Sequence, residues 1–385
     1  MKRSVGRILT THVGRLERPE AITRAMAAHP AGRPEDEAFE ALLGRSVHDV
    51  VRCQAEAGID IVTDGEFGKP AWHSYIMARM TGWEWLDDGP RDAMVGQDRR
   101  DFARYYDDTT RDGINYARNP EGKPRIGFPV FTGPIEYTGH PHISTDIVNL
   151  KAGLADVQVE EAFLPSISPG SVRFENRHYK DEEAYLFALA DALNEEYRAI
   201  VDAGLVLQID DPVITAFYDV MLPDIDLNAF YAMAERRIDA LNHALRGIDP
   251  AMVRVHVCWG SWHGPHSSDM PLERLLPLLR RMNVGGYVLE AGNVRHAHEW
   301  AVWKRHGIDD GRVLIAGVVS HSTDTLEHPE LIAQRIEQFA GAVGRENVIA
   351  GTDCGLGYRV HPDLAWAKLR VLREGADIAS KRLFG

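Results

Sequence analysis

The sequence has few cysteines, no long apolar run and no excess of basic residues. Three cysteines among 385 residues are too few for a disulfide scaffold and are typical of a reducing cytoplasm. No apolar run approaches the ~18 residues of a membrane span, and the basic N-terminus lacks the apolar core of a signal peptide. The formal net charge is -14, with no basic stripe, which argues against nucleic acid as a partner. We therefore expect a cytoplasmic protein that acts on small molecules.

Strand and helix patterns alternate along most of the chain. Short apolar, β-branched runs are separated by amphipathic stretches of helical period. Such alternation indicates a parallel sheet, and the length and strand count fit an α/β (β/α)8 barrel, the TIM barrel. The predicted barrel strands are 7–11, 59–66, 159–168, 205–209, 253–258, 286–290, 313–319 and 348–353.

One stretch interrupts this rhythm. Asp, Arg and Tyr crowd residues 87–124, and a further strand-like run, 126–137, leaves nine candidate strands for eight barrel positions. We assign that run to an insertion. The prediction is a single TIM-barrel domain over residues 1–385, with an inserted excursion at about 87–137 after the second strand. The excursion would serve as a lid or as an oligomer contact, and the sequence leaves a homo-oligomer open.

Ionisable or sulfur-bearing residues follow nearly every predicted strand. In a TIM barrel, the C-terminal ends of the strands form the active site. Those ends carry His12, Glu66, Asp210 with Asp211, His256 with Cys258, Glu290, His321 and Cys354. A random soluble chain would not place such residues at nearly every strand end, so this pattern indicates a functional site there.

Four of these residues form a candidate set of zinc ligands. His256 and Cys258 lie two apart on one strand and so face the same side, while Glu290 and Cys354 end nearby strands. One imidazole, two thiolates and one carboxylate suit tetrahedral Zn²⁺, and thiolates favour zinc over magnesium or calcium. The alternatives are a zinc ion that only braces the barrel, or a metal-free core. The third cysteine, Cys53, lies on a predicted helix without ligand-like neighbours, and we expect it to be structural.

A thiolate-rich zinc site favours one kind of chemistry. Its sulfur ligands already supply negative charge, so the ion is poorly suited to making hydroxide. It suits holding a substrate thiol as a thiolate, because a free thiol has a pKa of about 8.5 and coordination deprotonates it. The prediction is alkyl transfer from a methyl or alkyl donor to the sulfur of a small-molecule thiol.

Several motifs resemble the catalytic domain of cobalamin-independent methionine synthase. They are Thr11-His12-Val13-Gly14, Asp64-Gly65-Glu66, Gln208-Ile209-Asp210-Asp211-Pro212, His256-Val257-Cys258, Leu289-Glu290 and Asp353-Cys354-Gly355-Leu356. The resemblance runs over about residues 10–383. Residues 160–170 and 328–331 are similar to a shorter, single-barrel branch of the family, which includes zinc enzymes that join coenzyme M to epoxides.

The resemblance implies roles for individual residues. The zinc ligands would be His256, Cys258, Glu290 and Cys354, as expected from their chemistry. Glu66 and Asp210 match acids that hold the amino group of homocysteine, and His321 lies near a histidine that assists proton or leaving-group chemistry. His12, at the end of the first strand, is assigned to substrate binding as well.

Two departures from the family pattern concern the substrates. The family serine after the first glycine is Arg15 here, and no aromatic partner for a folate ring is evident after Ser168-Pro169-Gly170. We expect Arg15 either to bind a carboxylate or sulfonate or to pair with Glu17 or another surface acid.

The leading prediction is a zinc-dependent thiol methyl- or alkyltransferase, with a 5-methyltetrahydrofolate-type donor and a homocysteine-like acceptor. The alternatives are an epoxide:thiol transferase or lyase, a metal-free decarboxylase-like barrel and a zinc-braced binding protein.

Overall fold

A parallel barrel forms the body of the protein. The computed structural model describes residues 1–29, 33–34, 36–86, 96–111, 128–309 and 311–385. In chain order, the strands are β1 Leu9–Thr10, β2 Ile61–Val62, β3 Trp83–Leu86, β4 Phe128–Phe131, β5 Glu161–Ile167, β6 Glu175–Asn176, β7 Val206–Asp210, β8 Val253–Val257, β9 Gly286–Glu290, β10 Val313–Val319 and β11 Val348–Thr352. Eight of them pair in the order β1-β11-β10-β9-β8-β7-β5-β2, and a parallel bridge between Thr11 and Ile61 joins the two ends. The predicted TIM barrel is confirmed.

Helices follow the barrel strands and cover their outer face. They are α1 Glu20–Ala28, α2 Glu37–Glu56, α3 Gln97–Asp101, α4 Ala103–Arg111, α5 His140–Leu154, α6 Glu182–Asp202, α7 Val213–Met221, α8 Leu227–Ala244, α9 Leu272–Arg281, α10 Trp300–His306, α11 Pro329–Val343 and α12 Pro362–Phe384. Aspartates cap three of the long helices, where Asp36, Asp181 and Asp226 accept hydrogen bonds from backbone N–H groups of the first turn. Of the helices so described, none is both long and apolar enough to cross a membrane.

The interior of the barrel combines an apolar cluster with buried polar groups. Phe163, Val206, Val288 and Ile315 belong to the apolar cluster. Arg254, only 1% exposed, lies with its guanidinium 3.6 Å from the centre of the Phe163 ring. It donates to the side chains of Gln208 and Thr11 and to the carbonyl of His12. These contacts tie β8 to β7 and to the residues that follow β1.

A second, smaller sheet lies outside the barrel. β3 pairs antiparallel with β4, and β4 pairs parallel with β6. The strand-like run 126–137 therefore does not enter the barrel, and β5 holds that position, as predicted. Within the run 126–137, strand β4 ends at Phe131 rather than at Tyr137, because Gly133 and Pro134 follow. The predicted excursion, 87–137, falls partly on residues 87–95 and 112–127, outside the described residues, so its extent and the single-domain assignment stay predictions.

Candidate metal centre

Two cysteines and a histidine meet where β8 and β11 end. The ligand atoms of His256, Cys258 and Cys354 lie within 4.8 Å of one another. His256 belongs to β8 and Cys258 follows that strand directly, so the alternation of side chains along a strand turns both to the same side. Both cysteines are free thiols. The structure thus brings together three of the four predicted ligands.

Of the two thiols in this trio, that of Cys354 is favoured as a thiolate. The neighbouring Cys258 thiol and the His256 ring lower the pKa of Cys354 well below its usual range, whereas contact with Cys354 and burial raise the pKa of Cys258. Nε2 of His256 is buried and has no hydrogen-bond partner among the described residues. A buried nitrogen of this kind is rare unless a ligand or ion completes it. Together with two thiol sulfurs it forms a donor set typical of Zn²⁺, so the residues present fit the metal.

Asp210 fixes the orientation of His256. Nδ1 of His256 lies 3.0 Å from Oδ1 of Asp210, and Gln208 donates to the same oxygen at 2.9 Å. Burial opposes protonation of the imidazole, but the hydrogen bond to Asp210 and the charge of Cys354 raise the pKa of His256 to about 10. A metal-ligating histidine commonly donates its second N–H to a carboxylate in this way. The contact leaves Nε2 as the nitrogen for a metal.

Glu290, the fourth predicted ligand, lies beside the trio. Its carboxylate belongs to a second group with His321 and Asp353, whose ligand atoms are also within 4.8 Å of one another. Oε1 accepts from the backbone N–H of Trp259 at 2.9 Å, and Oε2 from the Asn293 amide at 2.6 Å. Burial and the nearby Asp353 raise the pKa of Glu290 to about 8. Hydrogen bonds from two loops therefore hold this carboxylate next to the cysteines.

Asp353 links the ends of three strands. Its Oδ1 accepts from the backbone N–H groups of Ala291 and Gly292 at 2.8 and 2.7 Å. The register of β10 against β11 shifts at Gly317, where a Cβ atom would lie 2.7 Å from the Cα of Asp353. Only glycine permits this close approach. We did not predict Asp353 as a site residue, although its position directly before a predicted ligand was the available signal.

His321 is buried close to both groups. It is 1% exposed, and within the described part of the chain neither ring nitrogen has a hydrogen-bond partner. Burial lowers the pKa of His321 to about 4, which keeps the ring neutral at ordinary pH. Burying an imidazole without hydrogen-bond partners costs free energy. A ligand that bonds to the nitrogens of His321 would remove that cost.

Charged residues after the first two barrel strands form the other side of the site. Glu66 has a φ of 60°, a left-handed conformation that is rare outside glycine and is often found at functional sites. Its Oε2 is buried without a partner among the described residues, and burial raises its pKa to about 7. Arg15 and Asp210 interact electrostatically with this carboxylate.

Arg15 presents part of its guanidinium without a partner. Nη2 donates to the carbonyl of Pro70 at 2.9 Å, and the guanidinium lies 5.2 Å from the centre of the Tyr358 ring. Tyr358 itself has a positive φ of 63°. Nη1 of Arg15 is buried and unpaired within the described residues. Arg15, Glu66 and Asp210, all predicted to bind substrate, therefore lie in one electrostatic neighbourhood.

His12, which the sequence assigns to substrate binding, is hydrogen-bonded within the fold through both ring nitrogens. Its Nε2 lies 2.8 Å from Oε1 of Gln54, and its Nδ1 accepts from the backbone N–H of Gly14 at 3.2 Å. Burial lowers the pKa of His12 to about 4. The contact with Gln54 joins the end of the first strand to α2, and substrate binding by His12 stays a prediction.

Helices α3 and α4 reach the loop that follows Cys258. Asp98 of α3 accepts from the backbone N–H and hydroxyl of Ser267 at 2.8 and 2.6 Å, and from the Tyr106 hydroxyl at 2.6 Å. The Tyr106 oxygen in turn accepts from the indole N–H of Trp262 at 2.9 Å. One buried carboxylate thus anchors the loop between β8 and α9, a role that the sequence alone did not indicate.

Arg359 is a further charged residue near the cysteines that we did not predict. Burial lowers the pKa of its guanidinium, and Cys354, Arg15 and Cys258 interact with it electrostatically. It follows the predicted ligand Cys354 by five residues in the loop after β11. The site therefore carries a second guanidinium besides Arg15.

Comparison with known proteins shows the family. The family described as "Cobalamin-independent synthase, Catalytic domain" matches residues 151–378, more than half of the chain. The chain is 25% identical over 351 residues to a methionine synthase of Sulfolobus acidocaldarius, covering 90% of this chain and 85% of that protein. It is 24% identical over 379 residues to one of Saccharolobus solfataricus, covering 97% and 95%.

A solved structure supports the fold. The B12-independent methionine synthase from Shewanella sp. W3-18-1, in complex with selenomethionine, superposes with a TM-score of 0.71 at 20% identity, covering 98% of this chain and 99% of that one. The sequence match and the barrel agree, and the chain belongs to the cobalamin-independent synthase catalytic-domain family.

Proposed function

We propose that this protein is a zinc-dependent transferase that moves a methyl or alkyl group to the sulfur of a small-molecule thiol. A homocysteine-like acceptor and a 5-methyltetrahydrofolate-type donor agree with its family. The observation that carries the proposal is the meeting of His256, Cys258 and Cys354 within 4.8 Å at the strand ends. It is supported by the methionine synthases to which the chain is similar over most of its length.

The zinc ion would be held by His256, Cys258 and Cys354, with Glu290 beside them as the fourth donor. When bound, it supplies the positive charge that keeps a substrate thiol deprotonated at neutral pH. Asp210 orients the imidazole, and Asp353 and Asn293 hold the loop and carboxylate next to it. Glu290 is the weakest donor of the set, and its hydrogen bonds to Trp259 and Asn293 would stabilise its carboxylate when an acceptor sulfur approaches.

The acceptor would be bound by the charged groups on the other side of the site. The unpaired Nη1 of Arg15 suits a carboxylate, since a guanidinium donates strong, charge-assisted hydrogen bonds to such groups. The buried Oε2 of Glu66 and the second oxygen of Asp210 suit an ammonium group. An α-amino acid that carries a thiol has both charges. These contacts support a homocysteine-like acceptor over a thiol without an amino group.

His321 would handle a proton during transfer. Both nitrogens of its neutral ring are unpaired in the described structure. Burial opposes a second proton on this ring, whereas the negative charge of the nearby Cys354 favours one, so His321 would exchange a proton when such a charge is present. The buried surroundings of His321 and Glu290 exclude bulk water from these groups.

The proposal is tested by following a labelled methyl group. The zinc-loaded protein is incubated with homocysteine and methyl-labelled 5-methyltetrahydrofolate, as monoglutamate and as polyglutamate, and the label in methionine is measured. Cys354→Ser should abolish the transfer, whereas Cys53→Ser, which alters a thiol on α2 outside both ligand groups, should leave it nearly unchanged.

Other outcomes would contradict parts of the proposal. Consumption of epoxide and thiol, without methyl transfer, would favour the epoxide:thiol reaction. No thiol consumption with any methyl donor or epoxide, at full zinc occupancy, would favour a zinc-braced binding protein.

A further inference from the structure

A buried ion pair lies behind the loop that carries His321. Nζ of Lys368, on α12, donates to Oε2 of Glu327 at 2.9 Å and to the carbonyl of Thr325 at 3.0 Å. Lys368 is 0% exposed, and Glu327 is also buried. We propose that Glu327 and Lys368 are positioning residues that hold the ring of His321 in place. The inference deepens the proposed function and rests on it, because it concerns the residue that would handle the proton.

The ion pair fixes the backbone directly before His321. Oε1 of Glu327 accepts a hydrogen bond from the backbone N–H of Ser320 at 2.8 Å. The Ser320 hydroxyl lies 2.9 Å from the hydroxyl of Ser322 and accepts from the Ser322 backbone N–H at 3.1 Å. One carboxylate therefore connects Lys368 to the residue before His321, and the residues on the two sides of His321 are bonded to each other.

His321 depends on its backbone for its orientation. Within the described residues, neither nitrogen of its ring has a hydrogen-bond partner, so no hydrogen bond to the ring fixes its direction. A group that gives or takes a proton has to lie within hydrogen-bond reach of the reacting atom. A displacement of about 1 Å can cost on the order of a hundred-fold in rate. The bond from Ser320 to Glu327 is therefore the contact on which the position of the ring depends.

The position of Ser320 in the sheet explains why this contact is ionic. A buried ion pair is a weak explanation for stability alone, because apolar residues of similar volume often stabilise a fold as well or better. The pairing of β10 with β11 ends at Val319 after a register shift at Gly317, so Ser320 lies beyond the paired part of the strand. The backbone N–H of this buried residue needs another acceptor. Glu327 supplies it, and Lys368 balances the charge of that acceptor.

Two double variants separate the anchor at Ser320 from the two charges. The anchor-free variant, Glu327→Leu with Lys368→Met, removes both charges and the acceptor. The anchor-kept variant, Glu327→Gln with Lys368→Met, removes both charges but keeps an acceptor oxygen. Neither variant leaves a buried charge without a partner, which would destabilise the fold by itself.

The kinetics of methyl transfer are measured on the zinc-loaded, full-length proteins. The anchor-free variant should lower kcat by about ten- to a hundred-fold, which is part of the roughly 10²–10⁴-fold that a positioned proton-transfer group contributes. Its KM for the acceptor should stay within about twofold of the parent, well short of a decade, and its zinc should be retained. The anchor-kept variant should keep kcat within about threefold of the parent, less than half a decade.

A His321→Gln background shows whether the effect passes through His321. His321→Gln should itself lower kcat, and the anchor-free changes should then lower it by less than about twofold more, because residues that act through one another are not additive. A merely structural pair would lower kcat by the same factor in both backgrounds. The matched control is Glu337→Leu with Arg382→Met, at a half-exposed ion pair of 3.0 Å between α11 and α12, which should leave kcat unchanged.

Two kinetic results would overturn the proposal. They are equal kcat values in the anchor-free and anchor-kept variants, and an equal fall of kcat in the parent and His321→Gln backgrounds. If the anchor-free variant does not fold, Glu327→Asp takes its place, since it keeps the charge but shortens the reach to Ser320 by one methylene group.

The ring ¹⁵N NMR signals of His321 provide a readout that does not depend on activity. They are identified by their absence from His321→Gln and compared in the same set of proteins. Changed signals in the anchor-free variant alone, without methyl transfer by the parent, would refute the proposed function and support the positioning of His321. Methyl transfer by the parent, with His321 signals unchanged in the anchor-free variant, would refute the positioning instead.

Discussion

Replacing Asp210 should weaken zinc binding without removing any ligand. The carboxylate holds Nδ1 of His256 at 3.0 Å and so leaves Nε2 for the metal. Loss of such a partner typically costs about 10- to 100-fold in metal affinity. Asp210→Ala removes the contact and should approach the upper value. Asp210→Asn keeps an oxygen that can accept the N–H but loses the charge, so its effect should be about tenfold, equivalent to about 1.4 kcal/mol.

The assay is competition for zinc with a chromophoric chelator, carried out on the purified variants. Asp211→Asn is the control, because Asp211 is the next residue along the chain, is also buried, and its side chain accepts a hydrogen bond from Ser171 rather than contacting the His256 ring. Zinc affinity within about twofold of the parent in Asp210→Ala, well short of a decade, would refute the reasoning. It would mean that His256 is oriented by its own packing or does not bind the metal.

Three further predictions concern residues around the metal centre. Arg15→Ala should raise the KM for the thiol by about ten- to a hundred-fold with zinc retained, since a charged hydrogen bond contributes about 1.5–3 kcal/mol. The control Arg24→Ala, at an exposed arginine, should leave the KM unchanged. An unchanged KM in Arg15→Ala would mean that the carboxylate of the acceptor binds elsewhere. Burial raises the pKa of Glu66 from 4.5 to about 7, so the folded chain keeps a proton that the unfolded chain releases. The free energy of unfolding should therefore fall as the pH rises from about 4.5 to 7, by roughly 3 kcal/mol at most at 1.36 kcal/mol per pKa unit. In urea titrations the Glu66→Gln variant should lack this fall. The same pH profile in parent and variant would contradict the raised pKa of Glu66. Asp98→Asn should expose Trp262 to acrylamide quenching and raise the KM for the acceptor. The control Asp107→Asn, at an exposed aspartate, should do neither. Unaltered quenching in Asp98→Asn would show that other contacts hold the loop between β8 and α9.

The barrel and the cysteine–histidine trio were predictable because local patterns determine them. His256 and Cys258 face the same side through the two-residue period of a strand, and Cys354 follows β11, three positions from β8 in the same sheet. The parallel order of the strands then brings the ends together. No contact between distant side chains had to be known in advance.

The parts that were not predicted depend on contacts across loops. The sequence does not show that Trp259 and Asn293 hold Glu290 beside the trio, or that a register shift at Gly317 brings Asp353 close. Nor does the sequence show that Gln54, on α2, lies 2.8 Å from Nε2 of His12. These outcomes follow from tertiary packing, which has no signature in periodicity.

The excursion illustrates the same limit. Residues 87–124 show no clear period, yet the described part contains α3 and α4, and Asp98 is buried against the loop after Cys258. Its helices are short, and Asp98 and Tyr106 on them contact Ser267 and Trp262 of that loop.

The central claim is that His256, Cys258 and Cys354 hold one zinc ion per chain. The most direct test is the zinc content of the purified protein, measured by elemental analysis beside a Cys258→Ser, Cys354→Ser double variant and a Cys53→Ser control. We expect about one zinc per chain in the parent and in Cys53→Ser, because both keep two thiolates and an imidazole as donors, and close to none in the double variant. Full zinc occupancy in the double variant, or loss of zinc on replacing Cys53, would contradict the account.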